Sequence, residues 1–419
     1  MILSRCLLFP MLPVVLAAPQ ALRAQRLAEL HLGVQAIGLV TSVEAVPGSR
    51  TLTEARVVQP VIMLHAAALG GHLRFTGTVN LEGQTIPHGE LTPGAWGEGF
   101  NDRRHPHTYA HELMLSGVDL LGAFDGGGRL SLSAGKGFVP FGSDDPMSRP
   151  VVRYPVNHHL AQVLERAVIS AGYRAGPVGL EAALFNGDEP ERPGQWPLVS
   201  RFGDSWAVRS TLHLLSSVEL SVSRAKVHSP EHRPGAGTDA WKWHLAGRVD
   251  RPLGGTQLYA LGEWARTEEA DGFFVFKSLL AETAVHAGRH RPYYRFERSD
   301  RPEDLRTLDL FRSVRPHLEN AILGVTRFTL HTVGYSLRVG PAPSTFVLEP
   351  FVEVTVGSAR NVDGGVLTPQ ILYGTNRVRS LAVGLRAAWG MEGHRMGRYG
   401  GLLDDPSGAM SHHSMSMTP

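Results

Sequence analysis

The stretch that decides the fold is Val378-Arg-Ser-Leu-Ala-Val-Gly-Leu-Arg-Ala-Ala-Trp389. Apolar side chains fall on every second position, and small or polar side chains lie between them: Leu381, Val383, Leu385, Ala387 and Trp389 alternate with Ser380, Ala382, Gly384, Arg386 and Ala388. This period of two predicts a β-strand with one apolar face. A strand of about ten such residues ending in an aromatic side chain is long enough to cross a bilayer in a β-barrel. Taken alone, the stretch also fits a half-buried strand of a soluble sheet.

The same alternation recurs in residues 72–81, 206–214 and 241–250. In each segment the second face carries polar side chains through the middle of the strand, which would be costly in a packed core and is expected of a face that lines water. Further strand-like segments bring the count to between 14 and 18, and single-chain bacterial barrels take even numbers. The sequence therefore predicts an all-β protein, a transmembrane antiparallel up-and-down β-barrel of about 16 strands.

Composition narrows the class of protein. The 419 residues carry a net charge of only +2, so bulk basicity does not indicate a nucleic-acid partner. Residues 1–24 resemble a secretory signal peptide that contains the single cysteine, Cys6. No later run of 18 apolar residues predicts a membrane-spanning helix. We expect a signal peptide over residues 1–24, a barrel over 25–389, and a flexible Met/His-rich tail over 390–419 that hangs in the periplasm.

One short motif supports a family resemblance. The run Gly135-Lys-Gly-Phe-Val-Pro-Phe-Gly142 resembles a stretch of phosphate-selective and related porins, and the strand ending at Trp389 resembles the closing strand of Gram-negative outer-membrane barrels. The resemblance implies passive diffusion of small polar solutes across the outer membrane, usually by a homotrimer inserted into lipid by the barrel-assembly machinery. It implies neither an enzyme nor a cofactor. Phosphate selectivity is not carried over, because only four of the 41 basic residues are lysines.

Basic side chains are the candidates for lining the pore. In an extended chain Arg289, Arg291 and Arg295 share one face, and a row of guanidinium groups raises the local anion concentration. Three further candidates lie on the polar faces of other strands: Arg209, Arg248 and Lys242. The alternative is charge pairing across the wall with Glu263 or Glu282, which would give a polar, weakly selective lumen.

A long connection, residues 142–162, is the candidate constriction loop. Long connections in a compact domain are usually functional or disordered, and in a barrel such a loop can fold inward to narrow the pore. Its polar candidates are two pairs of neighbours: Asp144 and Asp145, and His158 and His159.

Histidines and methionines form a second set of candidates. His105, His107 and His111 share a face if the chain is extended, and imidazole is a common ligand of copper and zinc. The C-terminal tail adds thioethers beside imidazoles in His412, His413, Met415 and Met417. The plainer interpretation is a set of polar lumen side chains and a disordered tail. Two alternatives to a channel thus stay open: an outer-membrane protein that handles copper or zinc, and a secreted soluble β-sheet enzyme.

Overall fold

The computed structural model describes residues 28–46, 50–86, 107–121, 128–190, 192–215, 217–230, 232–304, 322–339, 346–362, 364–390 and 395–402. Sixteen strands form one sheet: β1 (Ala28–Val46), β2 (Arg50–Ala68), β3 (Leu73–Asn80), β4 (Ala110–Val118), β5 (Gly128–Gly137), β6 (Arg166–Ala175), β7 (Val178–Phe185), β8 (Ser205–His213), β9 (Val218–His228), β10 (Asp239–Leu253), β11 (Thr256–Glu269), β12 (Phe274–Ala287), β13 (His290–Asp304), β14 (Ile322–Leu337), β15 (Phe346–Asn361) and β16 (Arg377–Trp389).

Each strand pairs antiparallel with its neighbours in the chain, and β16 pairs with β1 to close the barrel. The closing register joins Val34 to Trp389 and Val43 to Ser380. Closure leaves no sheet edge, so every strand has partners on both sides. The prediction of an up-and-down barrel of about 16 strands is confirmed.

Helices are short and lie in the connections: α1 (Glu82–Thr85), α2 (His158–Ala161) and α3 (Pro369–Tyr373). Among the residues that the structure describes, no helix is both long enough and apolar enough to cross a membrane.

The two faces of β16 follow the alternation predicted from its sequence. Leu381 and Val383 point outward and are 48% and 53% exposed, whereas Ser380 and Ala382 are buried on the inner face. Outward valine and leucine side chains recur around the barrel, which places an apolar band where a lipid bilayer would contact it. An apolar outer surface of this extent argues against the soluble enzyme.

The two ends of the barrel differ. Connections after even-numbered strands are short, such as residues 176–177, 254–255 and 288–289, whereas long connections such as 138–165 and 186–204 follow odd-numbered strands. Trp389 ends β16 at the end with the short turns, where it pairs with Phe346. At the other end Trp206 and Trp241 pack edge to face, with ring centroids 6.1 Å apart. Aromatic side chains thus flank the apolar band at both ends, as in membrane barrels.

The connection between β5 and β6 folds into the barrel, and we call residues 138–165 the inward loop. Its side chains are almost all buried, and its polar atoms contact the inner faces of strands on the opposite wall. The inward loop contains the predicted constriction loop, residues 142–162, and its place inside the barrel narrows the lumen.

A second segment lies in the lumen, within the part of the chain for which the sequence predicts a flexible tail. Residues 395–402, which we call the C-terminal segment, pack against the inner wall and the inward loop instead of hanging free. Arginine and tyrosine side chains of the segment form hydrogen bonds with buried carboxylates, and these bonds hold the segment in place. The predicted signal peptide (residues 1–24) and the rest of the predicted tail, 391–394 and 403–419, lie outside the described residues.

Candidate pore constriction

Arg295 clamps the inward loop to the far wall. Its side chain projects from β13, is fully buried, and lies 2.7 Å from a carboxylate oxygen of Glu282 on β12. The same guanidinium donates to two backbone carbonyls of the loop, those of Arg153 at 2.6 Å and Val151 at 2.9 Å. One side chain thereby gives a wall carboxylate its closest cation and two buried loop carbonyls their donor.

Two arginines of the loop reach outward to wall carboxylates in return. Arg149 lies 3.3 Å from Glu263 on β11. Arg153 lies 3.4 Å from Glu297 on β13 and donates to the hydroxyl of Thr355 on β15 at 3.0 Å. All of these side chains are buried, although the carboxylates face the lumen. Side chains lining open water would be exposed, so the loop fills the lumen at this level.

The inward loop also contacts a group of buried histidines. His158 of the loop lies 3.4 Å from a carboxylate oxygen of Asp145, and its ring packs 4.9 Å from that of Tyr154. The Tyr154 hydroxyl lies 3.3 Å from Nδ1 of His107, which in turn lies 2.9 Å from Glu82. Burial alone would raise the pKa of Asp145, but the hydrogen bond and positive charge of His158 outweigh it and lower the pKa to about 2.

His111 on β4 joins the same group from the wall. Its ring centroid is 4.6 Å from that of His107, and its Nδ1 lies 2.8 Å from Glu165 at the end of the inward loop. Glu165 also accepts hydrogen bonds from the backbone and hydroxyl of Thr108. Although burial favours its neutral form, the contacts with His111 hold the pKa of Glu165 below its usual value.

The structure places the predicted metal candidates as follows. His107 and His111 do come together, but each faces a carboxylate through Nδ1. Among the described residues, no group of three or more histidine, cysteine, aspartate or glutamate side chains is arranged to hold a metal ion. The remaining candidates lie outside the described residues: His105, His412, His413, Met415 and Met417.

The other predicted pore-lining residues face the lumen but have partners. Lys242 on β10 donates to the backbone carbonyl of His159 at 2.9 Å, so it also holds the inward loop. Arg209 on β8 forms two hydrogen bonds with Glu181 on β7, one of them at 2.7 Å. These contacts match the alternative of charge pairing across the wall more closely than a row of unpaired cations.

The predicted arginine row is only partly formed. Arg291 faces inward on β13 and pairs with Glu349 on β15. Arg289 is exposed in the turn between β12 and β13, because the chain reverses there and the extended alternation stops. Arg248 on β10 pairs with Asp250 at 2.8 Å and lies over the ring of Tyr259.

Comparisons with solved structures agree on the fold. OprB of Pseudomonas putida, in its high-pH structure, superposes with a TM-score of 0.50 at 9% identity, over 86% of this chain and 94% of that one. The chain has a porin-like fold. The anion-selective porin of Comamonas acidovorans gives 0.49 at 12% identity, over 86% of this chain and all of that one. OmpF of Salmonella typhi, in its complex with daunomycin, gives 0.46 at 9% identity, over 85% and 97%. No protein-family model matches the sequence, and no curated protein sequence matches it.

Sequence reasoning missed several residues of this porin-like barrel. Arg149 and Arg153 lie four positions apart in the predicted constriction loop, and their charge was a usable signal for the wall carboxylates. Arg395 and Arg398 were also visible, but the methionines and histidines around them drew the interpretation toward metals. Nothing local marks Glu219 on β9 as their partner, because 176 residues separate it from Arg395.

Proposed function

We propose that this porin-like barrel is a channel for the passive diffusion of small polar solutes across the outer membrane of a Gram-negative-type bacterium. The observation that carries the proposal is the contrast between the two faces of one wall. Apolar side chains cover the outside, whereas carboxylates, guanidinium groups and hydroxyls line the inside. A barrel built for lipid on one side and polar contents on the other encloses a path for polar solutes.

The charge pairing supports a weakly selective lumen over an anion-guiding one. Arg291, Arg295 and Arg209 each lie against a glutamate, so their charges are balanced within the wall. Guidance of anions needs guanidinium groups whose field reaches the solute. We therefore propose small polar solutes with no strong preference for anions.

The assembly follows from the same proposal. The end with short turns would face the periplasm and the long connections the exterior, as in membrane barrels generally. A homotrimer and insertion by the barrel-assembly machinery are predictions from the family resemblance. Mass measurement of the purified barrel in detergent would distinguish a monomer from a trimer.

Conductance across a planar bilayer tests the channel directly. Protein refolded in detergent and shown by its gel mobility before and after boiling to be a folded barrel should produce discrete conductance steps. The boiled sample serves as the matched control and should give none. Swelling of liposomes in neutral sugars, amino acids and organic anions then ranks the solutes. A folded barrel that gives no steps as the full chain, and none in any variant with altered lumen contacts, would contradict the channel.

A further inference from the structure

The C-terminal segment is built into the lumen by specific contacts. Met396 is 1% exposed and belongs to a buried cluster that includes Met63 of β2 and Met147 of the inward loop. Tyr399 donates to Glu112 on β4 at 2.8 Å and accepts from the backbone N–H of Phe138 at 2.9 Å. The segment therefore touches both the wall and the first residue of the inward loop.

Two arginines of the segment bridge the inward loop to the inner face of β9. Arg395 lies 2.7 Å from Asp144 of the loop and 2.8 Å from Glu219 of β9. Arg398 lies 3.1 Å from the same aspartate and 2.9 Å from the same glutamate, and 3.8 Å from Glu181. Three lumen carboxylates thus share two guanidinium groups that the chain itself supplies.

The backbone of the segment is adapted to this position by two glycines. Gly397 and Gly400 adopt φ values of +81° and +66°, a region that favours glycine. A Cβ atom on Gly400 would come within 2.6 Å of the Ser131 hydroxyl, and one on Gly397 within 3.1 Å of the Phe138 ring. Glycine at both positions leaves room for these neighbouring atoms. The sequence Arg395-Met-Gly-Arg-Tyr-Gly400 therefore fits the surface that it contacts.

Little space is left beside the segment. A cavity of about 10 Å³, enough for about one water molecule, is lined by Asp144, Glu219 and Arg395 among others. Because β16 ends at the end with the short turns, the segment reaches this position from that side. Loop and segment together close this part of the lumen.

We propose that residues 395–402 form an internal plug, which occupies the lumen beside the inward loop and withdraws to widen the pore. The proposal rests on the channel function proposed above. The segment is suited to withdrawal because Arg395, one of its two bridging side chains, remains 24% exposed, so water reaches the bridge. Withdrawal removes two positive charges and leaves Glu219 and Asp144 with fewer cationic partners, so the wider pore favours cations. Glu181 keeps Arg209, and Arg248 still lies 3.6 Å from Asp144.

Single-channel conductance of the full chain and of the double variant R395Q/R398Q tests the plug. The variant keeps the segment and its length but loses both charge bridges. We expect its conductance to rise roughly twofold or more and its preference to shift toward cations. The matched control R377Q/R379Q removes two exposed arginines at the start of β16 and should conduct as the unmodified chain does.

Thiol labelling gives a second readout that does not depend on conductance. In a Cys6→Ala background, M396C should resist a membrane-impermeant maleimide, whereas S200C in an exposed turn should react at once. Adding R395Q/R398Q to the M396C variant should abolish the protection. Equal conductance of the full chain and R395Q/R398Q, or rapid labelling of M396C in the full chain, would overturn the plug. Absence of conductance from every folded variant would instead overturn the channel.

Discussion

The lumen holds two segments of the same chain, the inward loop and the C-terminal segment, and both are held by arginine–carboxylate pairs. The loop is joined to the wall at both ends, through β5 and β6, and its clamp between Arg295 and Glu282 is completely buried. The segment is held by a bridge in which Arg395 is partly exposed. The same chemistry thus builds a permanent constriction in one place and a releasable contact in the other, because burial sets how much a broken pair costs.

The largest effect is expected for Arg295→Ala. Removing this guanidinium takes the closest cation from the buried carboxylate of Glu282, which keeps only Tyr259 at 2.9 Å and Arg149 at 3.6 Å. It also leaves two loop carbonyls without a donor. Breaking a buried pair in this way should lower the free energy of unfolding by about 3–5 kcal/mol. Denaturant unfolding of the refolded barrel in lipid vesicles measures the loss.

A double-mutant cycle separates the pair from simple truncation. E282A/R295A removes both charges, so it should be less destabilised than the sum of the two single variants. A decrease of less than about 1 kcal/mol in the free energy of unfolding for Arg295→Ala would contradict the difference between the two segments. The inward loop would then be held no more tightly than the C-terminal segment.

The buried carboxyl of Glu82, which contacts His107 beside the inward loop, should make the stability of the barrel depend on pH. Burial raises the pKa of this carboxyl from 4.5 to about 7, although the backbone N–H of Gln59 and the charge of His111 act in the opposite direction. A raised folded-state pKa contributes stability below the unfolded value, and that stability is lost as pH rises through about 7. Between about pH 5 and about pH 8 the barrel should lose about 3 kcal/mol that E82Q does not lose. Unfolding curves at the two pH values check this, and identical pH dependence in both proteins would refute it.

Asp145 should respond to pH in the opposite direction. Its pKa is lowered from 3.8 to about 2, so its contribution is present above the usual value and is lost as pH falls through about 2. Asp145→Asn keeps an acceptor for the backbone N–H of Met147 at the start of a short helical turn, but loses the charge that faces His158. We expect a loss of about 2 kcal/mol at neutral pH that shrinks in acid. A loss that stays constant down to about pH 3 would assign the effect to packing instead of charge.

The strands of the barrel wall could be predicted from the sequence. The two segments inside the lumen could be predicted only in part. Alternation in β16 is a local property, and Leu381 points outward and Ser380 inward as their positions require. The inward loop could be anticipated from its length and its place between two strands. Pairing of Glu282 with an arginine across the wall was among the alternatives that the sequence left open, and Arg295 is that arginine.

The position of the C-terminal segment inside the lumen could not be predicted in this way. Asp144 and Arg395 are 251 residues apart, and their meeting depends on closure of the whole barrel. No repeating pattern connects two irregular segments, so only the three-dimensional structure brings their charges together. Arg289 was predicted on one face with Arg291, but it lies in the two-residue turn, 288–289, that precedes β13, where the alternation has not yet begun.

The smallest stability effect is expected for Arg395→Gln, and this variant sharpens the comparison most. Asp144 and Glu219 keep Arg398 as a partner when Arg395 is lost, and the vacated site is reached by water. The free energy of unfolding should therefore fall by no more than about 1 kcal/mol, as for a partly exposed pair. Conductance should nevertheless rise, because the segment has lost half of its bridge. Arg295→Ala should show the reverse, a large loss of stability regardless of whether the segment is seated. A large destabilisation by Arg395→Gln with unchanged conductance would make the segment a structural part of the constriction, no more removable than the inward loop.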